Sequence, residues 1–137
     1  MTIHEIRQAA LKLVYEWDLG GEGGDETIFG LLALTDEGDI EQAKAMFDQT
    51  IGHIDEIDRL VSANLHGWSL ERISKVDLAI LRLAAYELSL GETPAGVVIN
   101  EAVELANQYS TDKAGAFVNG VLGNLARAME EERDDGE

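Results

Sequence analysis

The chain has no cysteine and only one proline, Pro94, among its 137 residues. Without thiols, it can form neither disulfides nor thiolate nucleophiles, zinc–cysteine sites or cysteine-ligated clusters. Cations are scarce as well, since 10 Lys and Arg stand against 27 Asp and Glu for a formal charge of −17. A field of that sign repels polyanions at long range, so any nucleic acid must be met by a local patch. The acidity is uneven: residues 1–60 carry −10, residues 61–127 carry −2 and residues 128–137 carry −5. Long apolar runs are missing too. No stretch approaches the roughly 18 residues of a membrane span, and the segment from Met1 to Leu13 holds Glu5 and Arg7, so neither a membrane anchor nor a secretory signal is expected. The expected location is the cytoplasm.

What is present is a hydrophobic inventory of 45%, enough for one compact domain over residues 1–137. Apolar residues recur at three- and four-residue spacing nearly everywhere, and strict alternation is lacking, which predicts an all-α chain. Thr2 and Glu5 form a capping signal for a first helix ending near Leu19, with Ile3, Ile6, Ala10, Leu13, Val14 and Trp17 as its stripe. A glycine-rich loop over residues 20–24 and a brief helix over residues 28–34 follow. Asp39 and Gln42 then signal one long helix reaching Leu65. After Gly67 comes a turn around Leu70 and Ile73. Ser74 and Asp77 cap a helix from Lys75 to Leu90 that is apolar nearly all round and therefore central. Thr93 and Pro94 suit the cap and first turn of a helix to Tyr109. Thr111 or Asp112 opens the last helix, whose core positions end at Met129 and in which Ala116 and Gly120 would admit a close neighbour. The expected architecture is two small antiparallel three-helix bundles sharing an interface, residues 1–67 and 68–129, with residues 130–137 as an acidic frayed tail.

The candidate chemistry is sparse. The glycine run follows a helix instead of a strand and lacks the lysine of a phosphate loop. The stretch from Asp18 to Phe29 has Gly20 and Phe29 where a calcium loop needs acidic ligands. His4, His53 and His66 are scattered, and no metal site is expected. Carboxylates abound on solvent-facing positions, and Ser, His and Asp occur without a nucleophile elbow, so no catalytic residue and no cofactor are expected. Polar residues inside apolar helices say more. Asp77, Arg82 and Glu87 interrupt the central helix, and Asn100 with Glu101 open the next one, where a carboxylate suits the helix dipole. Buried, such groups must pair with one another or face a partner.

The run Asp77-Leu-Ala-Ile-Leu-Arg-Leu-Ala-Ala-Tyr-Glu-Leu, then Pro94, then Val98-Ile-Asn-Glu-Ala-Val-Glu-Leu-Ala106 and Phe117-Val-Asn-Gly-Val-Leu122, resembles the NusB family of transcription antitermination factors. Arg7-x-x-Ala10 followed by Val14, Tyr15 and Trp17 is similar to the family's first helix, so the resemblance spans nearly the whole chain. It implies a two-bundle helical fold and a non-enzymatic adaptor. It also implies binding of boxA-type RNA together with ribosomal protein S10, which is NusE, within the RNA polymerase antitermination complex, and a homodimer in some members.

On this resemblance the RNA-binding candidates are Arg7, Lys12, Tyr15, Arg72 and Lys75, with Tyr15 equally suited to stacking or to the core. The partner-facing candidates are Glu87, Asn100, Glu101, Asn119 and Gly123. The chain also departs from the family. Where the family is arginine-rich at its start, this sequence offers only Arg7 and Lys12. Family lysines are replaced by Gly96, Asn107 and Ala116, and a family aspartate by Gly123. RNA binding by the isolated chain is accordingly expected to be weak. The alternative is a module of the same fold that has lost autonomous RNA binding and acts through protein contacts or as a homodimer. An acidic surface adapted to high salt would account for the charge under either reading.

Overall fold

The computed structural model describes residues 2–20 and 37–135. Among the described residues there are six α-helices, one 3-10 turn and no strand. The helices are α1 (Ile3–Asp18), α2 (Glu37–Gly52), α3 (Ile54–Ser62), α4 (Lys75–Leu90), α5 (Ala95–Tyr109) and α6 (Ala114–Asp135), with the 3-10 turn at Leu70–Arg72. The segment 28–34 and the glycines beyond Gly20, for which the sequence predicts a helix and a loop, lie outside the described residues. None of the described helices is long and apolar enough to cross a membrane.

Local chemistry accounts for most helix ends. Thr2 Oγ1 accepts a hydrogen bond from the Glu5 N–H at 3.2 Å, while the Glu5 carboxylate accepts from the Thr2 N–H at 3.4 Å. This reciprocal pair satisfies two backbone donors that α1 cannot serve itself. Ser74 Oγ accepts from the Asp77 N–H at 3.2 Å to start α4, and Gly91 ends it at φ 69°, a left-handed conformation open to a residue without Cβ. Pro94 is the cap of α5, one residue later than the Thr93 the sequence suggests, and its carbonyl accepts from the Val97 and Val98 N–H groups. Asn100 and Glu101 therefore lie beyond the first turn of α5 and do not open it, so the dipole argument for Glu101 does not apply.

The long helix expected from Asp39 to Leu65 is two helices, with α2 already under way at Glu37. Three residues at the junction explain the break. Thr50 Oγ1 donates to the Met46 carbonyl at 2.7 Å, a side-chain bond that bends a helix. Gly52 has poor helix propensity, and His53 turns the chain with its N–H on the Thr50 carbonyl. Because Ile57 and Val61 continue the buried stripe past the break, periodicity alone joins the two helices. At the other end, the segment from Glu130, expected to fray, is helical as far as Asp135. The good helix formers Glu130, Glu131 and Glu132 allow it.

Helix α4 packs against each of the other five described helices. All of residues 78–86 are buried, Arg82 included. One apolar cluster runs from Ile6 and Val14 of α1 through Phe47, Ile57 and Leu81 to Val98, Val118 and Leu125, so the groups α1–α3 and α4–α6 share a core. The close approach of α5 and α6 occurs at Gly115, where a Cβ would come within 2.6 Å of Asn107 Oδ1. Ala116 and Gly120, expected to serve this purpose, are exposed.

Two stability outcomes follow from these contacts. Leu81 is fully buried at the centre, so Leu81→Ala should destabilise the protein by about 2–5 kcal/mol in urea denaturation, and Leu81→Asp should abolish cooperative folding. Gly52 has open space around its Cβ position and a negative φ, so Gly52→Ala should stabilise by about 0.5–1 kcal/mol. A denaturation midpoint lowered by Gly52→Ala would show that the break needs glycine.

Candidate RNA- and partner-binding surface

Two clusters of charge fasten α1 to α4. Near the start of α1, Arg7 is 4% exposed, and it grips Glu87 of α4 with a two-pronged fork. Its Nε donates to Glu87 Oε2 at 3.0 Å and its Nη2 to Oε1 at 2.9 Å. Glu101 of α5 stands 3.9 Å from Arg7 Nη1 and 2.5 Å from His4 Nδ1. Burial alone would lower the Arg7 pKa, but the hydrogen bonds and charge of Glu87, helped by Glu101, hold it above its usual value. The hydrogen bond to Glu101 raises the His4 imidazolium above 6.5 against the opposing effect of burial, and the charges of Glu101 and Glu104 add to it. The raised value means that the His4–Glu101 bridge contributes fully to stability below pH 6.5 and fades as pH climbs through the folded-state pKa.

The second cluster lies at the other end of the same helix pair. Arg82 Nε and Nη2 donate to the two carboxylate oxygens of Asp58 at 2.8 and 2.9 Å. Arg82 Nη1 forms an ion pair with Asp18 Oδ1 at 3.2 Å. Lys75 Nζ approaches the same carboxylate at 3.3 Å, and the Arg82 guanidinium lies 5.7 Å from the centre of the Trp17 ring. Burial would lower the Arg82 pKa, yet Asp58 and then Asp18 raise it. Arg82 is thus a structural cation, as its position in an apolar helix suggests. Asp77 differs: its Oδ1 is buried with no hydrogen-bond partner.

Asp77 lines a cleft of about 330 Å³ between the 3-10 turn and the start of α6. Trp68, Ile73 and Phe117 form its apolar wall, while Arg72 and Lys113 bring positive charge to it. Trp68 is 55% exposed and meets Phe117 edge-on, with ring centres 6.3 Å apart. A large aromatic ring left open beside cations suits a flat, anionic ligand. The preceding Gly67 holds φ 83°, which turns the chain out of α3 and sets Trp68 on the surface.

The sequence candidates divide between these places. Arg72 lines the Trp68 cleft, and Lys75, three residues on at the start of α4, contacts Asp18 at the end of α1. Lys12, Tyr15 and Asp18 are spaced three residues apart on α1 and so share a face, which extends the strip. Lys12 is exposed, and Tyr15 rests partly against the core, so both of its readings retain support. Arg7 is not part of this strip. Twelve residues of α4 separate Lys75 from Glu87, about 18 Å along the helix axis, and the Arg7 guanidinium is enclosed by Glu87. Glu87, expected to meet a cation across an interface, finds it within its own chain. Asn100 and Asn119 are exposed, Glu101 belongs to the His4 group, and Gly123 lies beside the Arg127 guanidinium. Among the described residues, no hydrogen bond or ion pair links Asn119 to the Glu87 group. Trp68 and Lys113 escaped the sequence reading, although a tryptophan directly after a glycine at a helix end was a usable signal.

Removing one partner of the Arg7–Glu87 pair strands the other charge, so Arg7→Met should cost about 3–5 kcal/mol in denaturant unfolding. The double variant Arg7→Met/Glu87→Leu should recover much of that loss, and strict additivity would show that the pair is uncoupled.

Comparisons with known proteins agree with the all-helical fold. The NusB family model matches residues 4–127. The chain is 38% identical over 133 residues to the transcription antitermination protein NusB of Finegoldia magna, covering 95% of this chain and 97% of that one. It is 39% identical over 132 residues to the protein of the same name from Geobacillus kaustophilus, with coverage of 95% and 99%. Among solved structures, NusB of T. maritima superposes with a TM-score of 0.79 at 32% identity, covering 93% of this chain and 92% of that one. A chain from a crystal structure of the antitermination factors NusB and NusE in complex with dsRNA gives 0.80 at 32% identity, with coverage of 93% and 99%. An all-helical fold, a matching family model and full-length relatives lead to one conclusion: the chain belongs to the NusB family.

Proposed function

We propose that the protein is a NusB-type transcription antitermination adaptor. It is non-enzymatic and acts in the cytoplasm, holding boxA-type single-stranded RNA jointly with NusE, the ribosomal protein S10, for the RNA polymerase antitermination complex. The observation that carries this reading is the open Trp68 ring set between Arg72 and Lys113 on an otherwise acidic protein. Stacking needs an accessible aromatic face, and phosphates need cations within reach of it; both occur at this cleft. Lys75 at the start of α4, then Tyr15 and Lys12 on α1, continue the RNA track. Arg7 serves it indirectly, by fixing α1 through Glu87. Asn100, Asn119 and Gly123 remain the contacts assigned to the NusE side, while Glu87 and Glu101 shape that side from within.

Two weak surfaces on one assembly raise the effective RNA concentration for each other, so a modest patch suffices once NusE is bound. A second reading also has support. Glu87 encloses Arg7 and Asp18 approaches Lys75, which thins the cationic inventory and favours a protein-interaction module or homodimer without RNA binding of its own.

Titrations with boxA RNA at two salt concentrations, with and without S10, decide between them. The isolated chain should bind weakly and the S10 complex more tightly. Trp68→Ala should lose about 1–3 kcal/mol of binding with little change in salt dependence. Arg72→Ala should flatten the logarithmic salt slope by about 0.7. If neither variant alters binding, the cleft is not the RNA site, and if RNA binds in no combination, the interaction-module reading replaces the adaptor.

A further inference from the structure

His4 of α1 and Glu101 and Glu104 of α5 bring three ligand atoms within 4.8 Å of one another. The two carboxylates are one helical turn apart on α5 and face the imidazole together. His4 Nδ1 is 2.5 Å from Glu101 Oε2 and 3.8 Å from Glu104 Oε2. Ligands bound tetrahedrally at about 2.0–2.1 Å from a zinc ion stand about 3.3 Å apart, between these two separations, so small side-chain rotations convert one arrangement into the other. Beside this group, Gln8 of α1 donates to Gln108 of α5 at 2.8 Å, a second tie between the same two helices. Glu104 is exposed, which leaves water access to a fourth position.

The surrounding charge is also suitable. Arg7 is the cation beside Glu101, and Glu87 already matches its charge with the two-pronged contact. Glu5, on the same helix as His4, is turned to the Thr2 cap. With His4 neutral, the group of Arg7, Glu87, Glu101 and Glu104 carries a net charge of −2, which a divalent cation cancels. One nitrogen and two oxygen donors suit a borderline ion, whereas magnesium and calcium prefer oxygen alone.

We propose that His4, Glu101 and Glu104 form a binding site for a divalent transition metal of the zinc or nickel class. The ion takes the place of the proton shared by His4 and Glu101 and clamps α1 to α5. No residue of the RNA strip takes part; Glu101 is shared with the proposed NusE side, but metal binding by the isolated chain is read without NusE or RNA.

The experiment uses the full chain, stripped with chelator, in thermal melts and calorimetric titrations with ZnCl2, NiCl2 and MgCl2. Zinc should bind at one equivalent, raise the melting temperature and release a proton, seen as a heat that varies with buffer ionisation. Magnesium should do neither. His4→Gln and Glu104→Gln should each weaken zinc binding about tenfold or more. Glu104 is exposed, so Glu104→Gln tests the site without threatening the fold. Absence of zinc binding, an equal response to magnesium, or full zinc affinity in Glu104→Gln would overturn the proposal.

Discussion

Opposite charges buried at the two ends of one helix contact fix the direction in which α1 lies on α4. Helix α4 offers a carboxylate, Glu87, to the Arg7 end of α1 and a guanidinium, Arg82, to the Asp18 end. Reversing α1 would set Arg7 toward Arg82 and Asp18 toward Glu87, burying like charges together, at a cost of several kcal/mol. Apolar packing alone discriminates poorly here, because the buried faces of both helices are built from Leu, Ile, Val and Ala. The ion pairs thus contribute specificity more than net stability. That is why a chain with few cations places two of its arginines in the interior.

Once α1 is oriented, the remainder of the surface follows. Asp58 brings α3 to Arg82, and the chain leaves α3 through Gly67, which puts Trp68 beside Phe117 of α6. The same orientation carries Lys12 and Tyr15 toward the Lys75 end of α4 and His4 toward α5. The proposed RNA strip and the His4 group therefore lie apart on α1, with Lys12, the strip residue nearest to His4 in sequence, about 12 Å from it along the helix axis.

Much of this was legible in the sequence because it rests on local rules. The Thr2–Glu5 capping box, the Ser74 cap and the all-round apolar character of residues 78–86 each depend on neighbours in the chain, and each was read correctly. Pairings across long separations were not legible. Nothing at Arg7 announces Glu87 eighty residues later, and a cation at that position looks equally fit to meet a phosphate. The α2–α3 break was hidden for a related reason, since the apolar stripe continues through it while the interruption is a side-chain bond from Thr50. The exposure of Trp68 depends on tertiary packing, so composition and periodicity do not show it.

The contact between Lys75 and Asp18 would make the proposed strip a place of competition. A phosphate arriving at Lys75 would share its half-exposed ammonium with a carboxylate 3.3 Å away and so gain less than at a lysine without such a neighbour. Random polyanions, which have nothing but charge to offer, would then gain little there. A strand that also laid a base on Trp68 would bring a second source of free energy. On the proposed reading, the acidic chain would discriminate against nucleic acid in general through its own competing carboxylate.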